Sequence, residues 1–357
     1  MSYPKLIANK KKLLHNVTTM KKKMSDAGID ILAGVTKGFS AYPEVAQIFV
    51  EGGVDYIADS RVLNLKKLKD LPKKKWLLRI PMMTELEDVI EYADISQHSE
   101  YKVMEKLNEL AEKKGVTHDI ILMVDLGDLR EGYFYEDDFF ENVEKVLKLE
   151  NLNFIGIGVN LTCYGAVIPT PEVLGRLDDY KKEIKDRFDH DLEIISGGNS
   201  STVYLLGEED LGSINNLRLG EALLLGTESA YGKNLEYMEQ GTWRMEAEIV
   251  ELKDKPSVPT VKELGRDAFG RIPVFEDRGV RKRAIIGIGK QDVDIEDITP
   301  MDENIIVLGS SSDHTILDVT DAKTELEVGD IVPFNVNYGG MLKLSTSPYV
   351  SVEVEEE

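Results

Sequence analysis

Lys37 closes the run ILAGVTKGF, where an apolar, β-rich segment that reads as a buried strand ends in a single amine. A lysine in such a place is either a strand terminus tipped into solvent or an amine held in a pocket. In a pocket, beside other cations, its pKa falls and it can condense with a carbonyl as a Schiff base. A second constellation is SGGNSST at 196–202. Its glycines let backbone N–H groups approach a phosphate, and Ser200 and Ser201 offer hydroxyls at the start of a following helix, whose dipole favours an anion; the same residues also suit an ordinary helix cap. Asp59 to Arg61, Arg79, Gln97 with His98, Arg130, Asn160 and Arg218 each follow or end another β-rich run. One lysine, several arginines and a glycine-serine loop describe a site for an anion that carries a phosphate. A phosphate site joined to a Schiff-base lysine points to pyridoxal 5′-phosphate.

These residues need a scaffold that brings many strand ends together. From residue 31, ILAGVT, VDYIAD, WLLRIP, ADISQ, DIILMVD, NFIGIGV, LEIIS and INNLRL read as eight strands. Candidate helices such as PEVAQIFVEGG, ELEDVIEYA, EYKVMEKLNELAEKKG and LGRLDDYKKEIKDRF alternate with them, most with apolar residues at spacings of three and four. The alternation predicts an α/β fold, a closed (β/α)8 TIM barrel over 9–235, with an open doubly wound sheet as the alternative. Barrel enzymes place their chemistry at the C-terminal ends of the strands, where the residues above fall. Beyond about residue 235 the texture changes to short alternating strands with Gly, Pro and Asp turns, predicting a smaller, mainly-β domain over 236–357. The strand-like YPKLIAN at the N-terminus could pair with either domain; residues 1–8 are assigned to the second.

Acidic residues outnumber basic ones 65 to 43, for a net charge of −22, so the field of the molecule repels nucleic acid and anionic membrane surfaces. The lysine clusters NKKKLLHN, KKKM and PKKKW lie beside amphipathic or turn segments and read as solvated faces. Cys163 is the one cysteine, which excludes an intrachain disulfide and a multi-cysteine zinc site. No stretch approaches the length of an apolar membrane span and no signal-peptide core opens the chain, so a cytoplasmic protein is expected.

Six segments, in order, resemble the fold-type III pyridoxal-phosphate enzymes, and within them the alanine racemase-like branch that includes ornithine racemases. GVTKGFSAYPEVAQ resembles the segment of the cofactor lysine, which implies that role for Lys37. VDLGDLREG is similar to the loop whose arginine, here Arg130, faces the cofactor's phenolic oxygen, and SGGNSST resembles the phosphate loop, implicating Asn199, Ser200 and Ser201. LRLGEALLLG resembles the Arg-Pro-Gly stretch with Leu219 in place of proline, which implies Arg218 at the pyridine nitrogen and the Gly220 amide at the phosphate. SSSDHTILDV resembles the Met-Asp-Gln region, with Asp313 on the aspartate and Ser312 on the methionine, and VNYGGMLKLSTSPYV the stretch whose tyrosine, here Tyr338, binds phosphate.

The departures bear on mechanism. Where alanine racemases carry a tyrosine base, GIGKQDVD places Lys290, with Asp292 two residues on. A supporting histidine aligns near Asn160, and a modified lysine aligns with Met123. Racemisation needs groups on both faces of a planar intermediate. Lys37 supplies one; for the other the order is Lys290, Asp292, then His314, with Cys163 and Tyr42 behind them. Asn160, Asp292 and Asp313 are candidate substrate contacts, an aspartate being suited to a basic side chain. The resemblance thus implies a racemase of a basic amino acid, ornithine first, then lysine, arginine, alanine or serine, working as a homodimer with shared sites. A fold-type III decarboxylase and a non-catalytic cofactor carrier are the alternatives; the cysteine motif of the former is absent, and the latter has no second domain.

Overall fold

The computed structural model describes residues 2–267 and 269–356. The chain forms two compact units, one over 10–240 and the other over 241–356 together with the N-terminal residues up to Asn9. Strand β1 (Lys5–Asn9) belongs to the second unit, where it pairs with two strands that lie more than 200 residues further along the chain. Helix α1 (Lys10–Asp26) then opens the first unit; its buried Leu13, Val17, Met20 and Met24 recur at spacings of three and four, as a one-sided apolar stripe requires.

The expected closed barrel is present. Strands β2 (Ile31–Val35), β3 (Tyr56–Asp59), β4 (Lys74–Leu77), β5 (Ile95–His98), β6 (His118–Val124), β7 (Leu152–Val159), β8 (Ile194–Ser196) and β9 (Asn216–Leu219) run parallel, and β9 returns to β2. Helices α2 (Pro43–Glu51), α3 (Val62–Lys67), α4 (Leu86–Tyr92), α5 (Tyr101–Lys114), α6 (Glu136–Val146), α7 (Pro171–Phe188) and α8 (Glu221–Leu225) separate or follow the strands. Ala33, Val35, Ala58, Trp76, Ile95, Ile121, Met123, Ile155 and Ile194 form a buried cluster. Their alternation along β2 and their bulk make the barrel a packed core rather than a pore. Buried polar residues also occur on β8 and β9, at Ser196, Asn216 and Arg218.

Two expectations are corrected. The stretch after SGGNSST is a short 3-10 turn, Val203–Leu205, and not a full helix. The cluster PKKKW is not wholly solvated: Lys75 is buried in β4, and its ammonium donates to the Lys69 and Leu71 carbonyls, so its charge is matched by main-chain acceptors that no spacing rule reveals. Burial lowers its pKa.

The second unit is antiparallel β except at one edge. Its strands are β10 (Trp243–Pro256), β11 (Val280–Ile286), β12 (Ile298–Pro300), β13 (Ile306–Ser310), β14 (Thr315–Asp318), β15 (Ile331–Val336) and β16 (Ser351–Glu355), in the order β12-β15-β10-β11-β14-β13. β1 pairs antiparallel with β10 and parallel with β16. β10 changes partners along its length, pairing with β15 at 244–248 and, across a bulge between Ile249 and Glu251, with β11. The bulge bends the strand so that one chain serves both parts of the sheet. Helix α9 (Tyr338–Thr346), begun by an Asn337 cap that accepts from the Gly340 amide at 2.9 Å, interrupts the strands. Among the described residues no helix is long and apolar enough to cross a membrane.

Candidate active site

Lys37 follows β2 and opens a 3-10 turn, Lys37–Phe39, which ends in Ser40 and Ala41 at φ of 52° and 54°. A left-handed conformation in two successive non-glycine residues is costly, and it fixes the direction in which the lysine leaves the strand. Among the described residues the Lys37 ammonium makes no hydrogen bond or ion pair, although Asp59 and Glu221 are both near enough to feel its charge. Burial pushes the carboxyl of Asp59 up, while hydrogen bonds from Thr36, the Arg61 amide and Asn64, and then Lys37 itself, pull it down. Thr36 donates to Asp59 at 2.7 Å, so the residue before the lysine is tied to β3.

Arg218 lies on β9, the strand that pairs with β2, opposite Ala33 in register, and is 3% exposed. Its guanidinium donates to the Ser196 hydroxyl, to the Val159 carbonyl at 2.7 Å and to Asn160 Oδ1 at 2.7 Å. Ser196 in turn donates to Asn216. Burial brings the guanidinium down to about 10, with Glu131 and Cys163 opposing that shift and Arg130 adding to it, so Arg218 remains a cation at neutral pH. Asn160 donates through Nδ2 to Glu131, and Glu131 receives the Arg130 guanidinium at Nε and, at 2.6 Å, at Nη2. Arg130, Glu131, Asn160, Arg218, Ser196 and Asn216 thus form one hydrogen-bonded chain across four strand ends. Glu131 lay inside the motif that singled out Arg130; its only sequence signal was a carboxylate directly beside the arginine.

The 196–202 loop supplies an anion cradle with one group left over. Asn199 Oδ1 accepts from the Ser201 amide at 2.8 Å, its Nδ2 donates to the Leu161 carbonyl at 3.0 Å and to Cys163 Sγ at 3.3 Å, and Ser200 Oγ accepts from Ala222 N at 3.0 Å. Ser200 therefore caps α8 rather than the segment that follows it. The Ser201 hydroxyl is buried and has no partner among the described residues. A buried hydroxyl left unsatisfied costs free energy unless a ligand completes it. Gly198, at φ 111°, makes the turn that only glycine adopts without strain. Gly220 stands between β9 and α8, beside this loop's Ser200 contact. Lysine amine, two arginines, orphan hydroxyl and glycine turn fit the pyridoxal-phosphate group in charge and donor type. Arg79 and His98, also at strand ends, are engaged elsewhere: Arg79 pairs with Glu85, and His98 shares Ser96 with His118.

Five further candidates lie in the second unit: two turns carry Lys290, Asp292, Asp313 and His314, and helix α9 carries Tyr338. Lys290 N donates to Ser311 O at 2.9 Å and Gln291 N to Ser312 O at 3.0 Å, which docks the GKQD turn on the SSDH turn. Gly289 is required there, because a Cβ would lie 2.4 Å from the Asp313 amide nitrogen. Lys290 Nζ sits 4.0 Å from the centroid of the Phe269 ring, a cation–π contact. Asp292 is 4% exposed and accepts from Ser347 Oγ at 2.6 Å. Asp313 pairs with His314 at 3.1 Å, and both are exposed. Tyr338 is the first residue of α9 and is half-buried.

Comparison with known proteins gives the same direction at each level. The alanine racemase N-terminal domain model matches residues 8–228. The chain is 49% identical over 353 residues to an ornithine racemase of Acetoanaerobium sticklandii, covering 99% of each chain. It is 38% identical to a lysine racemase of Thermotoga maritima, covering 98% of each. In fold it is similar to the alanine racemase of Clostridium difficile 630, with a TM-score of 0.78 at 17% identity, covering 100% of this chain and 97% of that one. The Bartonella henselae alanine racemase, described with covalently bound pyridoxal phosphate, has a TM-score of 0.73 at 17% identity, covering 99% and 100%. The resemblance read from the six motifs is borne out: this chain belongs to the alanine racemase family.

Proposed function

We propose that the protein interconverts the L and D forms of ornithine with pyridoxal 5′-phosphate, and accepts lysine as a second substrate. The observation that carries this reading is the Lys37 amine at the end of the first barrel strand, without a bonding partner among the described residues, in a chain 49% identical along its length to an ornithine racemase. The cofactor, when bound, supplies the electron sink that acidifies the α-proton of an amino acid. Lys37 holds the cofactor and moves the proton on one face. Ser201, Gly220 and the Asn199 loop receive the phosphate, as does Tyr338. Arg130 would donate to the phenolic oxygen.

With the cofactor bound, Arg218 would donate to the pyridine nitrogen. As a cation it disfavours protonation there, which weakens delocalisation and favours paired proton transfer over decarboxylation. Lys290 is proposed as the proton carrier on the other face, ahead of Asp292 and His314. Asp292 or Asp313 would offset the charge of a basic side chain, with Asn160 as a further substrate contact. The working form is proposed to be a cytoplasmic homodimer with shared sites, which a monomer mass at assay concentration in light scattering would contradict. Replacing Lys37 by alanine is expected to abolish both racemisation and the borohydride-reducible protein–cofactor adduct. An adduct retained in Lys37→Ala would overturn the lysine assignment.

A further inference from the structure

The carboxylate of Glu131 is the one anion in the chain of contacts that links the two guanidinium groups of the barrel site. We propose that Glu131 is a positioning residue, which holds Arg130 directly and sets the orientation of Arg218 through the Asn160 amide. This deepens the racemase reading and rests on it.

Three observations support the assignment. The side chain of Glu131 is 17% exposed, and its two oxygens take three donors: Arg130 Nε, Arg130 Nη2 and Asn160 Nδ2. The Asn160 amide has one acceptor end and one donor end, so a carboxylate at Nδ2 leaves Oδ1 turned to Arg218, where it accepts at 2.7 Å. Without that carboxylate the amide is free to turn, and its NH2 would then oppose a guanidinium. Arg130 and Arg218 are also close enough to repel, and Glu131 attracts both. A glutamine here offers one oxygen and one NH2, so it cannot satisfy all three donors and brings no charge.

Glu131 is not needed to shape its own loop. Asp125 already accepts from the Gly127 amide at 2.9 Å and the Leu129 amide at 3.1 Å. Asp128 accepts from the Tyr164 amide at 2.9 Å and the Val167 amide at 3.2 Å, joining the loop to the one after β7. The Tyr133 amide and carbonyl are bonded to Met123 and Asp125, which returns the chain to β6. The carboxylate of Glu131 is therefore spare for the site.

The test compares Glu131→Gln, Glu131→Asp, Asn160→Ala and the Glu131→Gln/Asn160→Ala pair as purified proteins loaded with pyridoxal 5′-phosphate. Readouts are melting temperature, cofactor affinity of the stripped protein, the pH midpoint of the visible protein–cofactor band, and kcat and KM for ornithine. Glu131→Gln is expected to keep its melting temperature, to move the band midpoint to lower pH as one negative charge is lost, and to lower kcat more than it raises KM. The loss in kcat is expected to be about ten- to a hundredfold, the scale of one charge-assisted hydrogen bond. Glu131→Asp should recover part of each change, and the double variant should be little worse than either single one, because both break the same chain. A wild-type band midpoint and kcat in Glu131→Gln, or effects of the two sites that simply multiply, would overturn the proposal. A Glu131→Gln protein that fails to fold would overturn it as well, since the residue would then be a structural staple. If the unaltered protein racemises nothing, the racemase reading fails by itself, and the band midpoint and cofactor affinity still decide the role of Glu131.

Discussion

Ser201 shows how one side chain can report on a ligand. Its hydroxyl is buried and has no partner among the described residues, so in the cofactor-free protein it is a cost rather than a bond. Ser201→Ala is therefore expected to leave the melting temperature of the stripped protein unchanged or raise it, while weakening cofactor affinity by about tenfold, the scale of one hydrogen bond. Equal affinity in the variant, by titration of stripped protein, would remove Ser201 from the phosphate loop. Lys37, Arg130 and Arg218 were legible in the sequence because each ends a β-rich run inside a distinctive motif. Asp59 was read only as one of several strand-end residues, and Glu131 was not singled out. A carboxylate beside an arginine in a loop is common, and only the fold shows that Glu131 turns to Asn160 while Asp59 turns back to Thr36.

At the scale of elements, the eight barrel strands were legible because each is buried on both faces and so reads as a short continuous apolar run between turn signals. β8 is only three residues long, yet LEIIS marked it. Helix α9 was not legible: Gly339 and Gly340 sit in its first turn, where propensity argues against a helix, but the Asn337 cap and a close approach to Asp297 require small residues there. The partner of β1 was likewise undetermined, since the strand pairs with β10 and β16 at the other end of the chain and no local pattern encodes that register. Gly289 carries the element-scale prediction. In Gly289→Ala the added methyl meets backbone rather than a yielding side chain, so the turn bearing Lys290 must part from the Ser312–Asp313 turn. A loss of about 1–3 kcal/mol in denaturant unfolding is expected, as for other overpacked sites, together with reduced activity. Unchanged stability would mean that the two turns are not docked as described.

For the molecule as a whole, acid sensitivity follows from a pair of buried histidines on β5 and β6. Ser96 Oγ lies 2.7 Å from His98 Nε2 and 2.8 Å from His118 Nε2. Burial pushes His98 down to about 3, with His118 adding to the shift, and burial pushes His118 down to about 4. Both folded values lie below the unfolded value of about 6.5, so the fold favours the neutral rings. That contribution is fully present above about pH 6.5 and is lost as pH falls towards the folded values, because the unfolded chain then binds more protons. His98→Gln is expected to flatten the fall in unfolding free energy between about pH 6.5 and pH 4; a slope equal to that of the unaltered protein would assign acid unfolding to other groups. The net charge of −22 adds no binding partner but favours a cationic substrate approaching the molecule. Racemisation of ornithine is decided by incubating the purified, cofactor-loaded protein with pure L-ornithine in deuterium oxide and following both enantiomers and α-carbon deuterium with time. D-ornithine is expected to rise towards an equal mixture, with deuterium entering at the α-carbon, no putrescine, and alanine turned over far more slowly. Ornithine that stays wholly L and undeuterated, release of putrescine, or alanine racemised faster than ornithine would contradict this expectation.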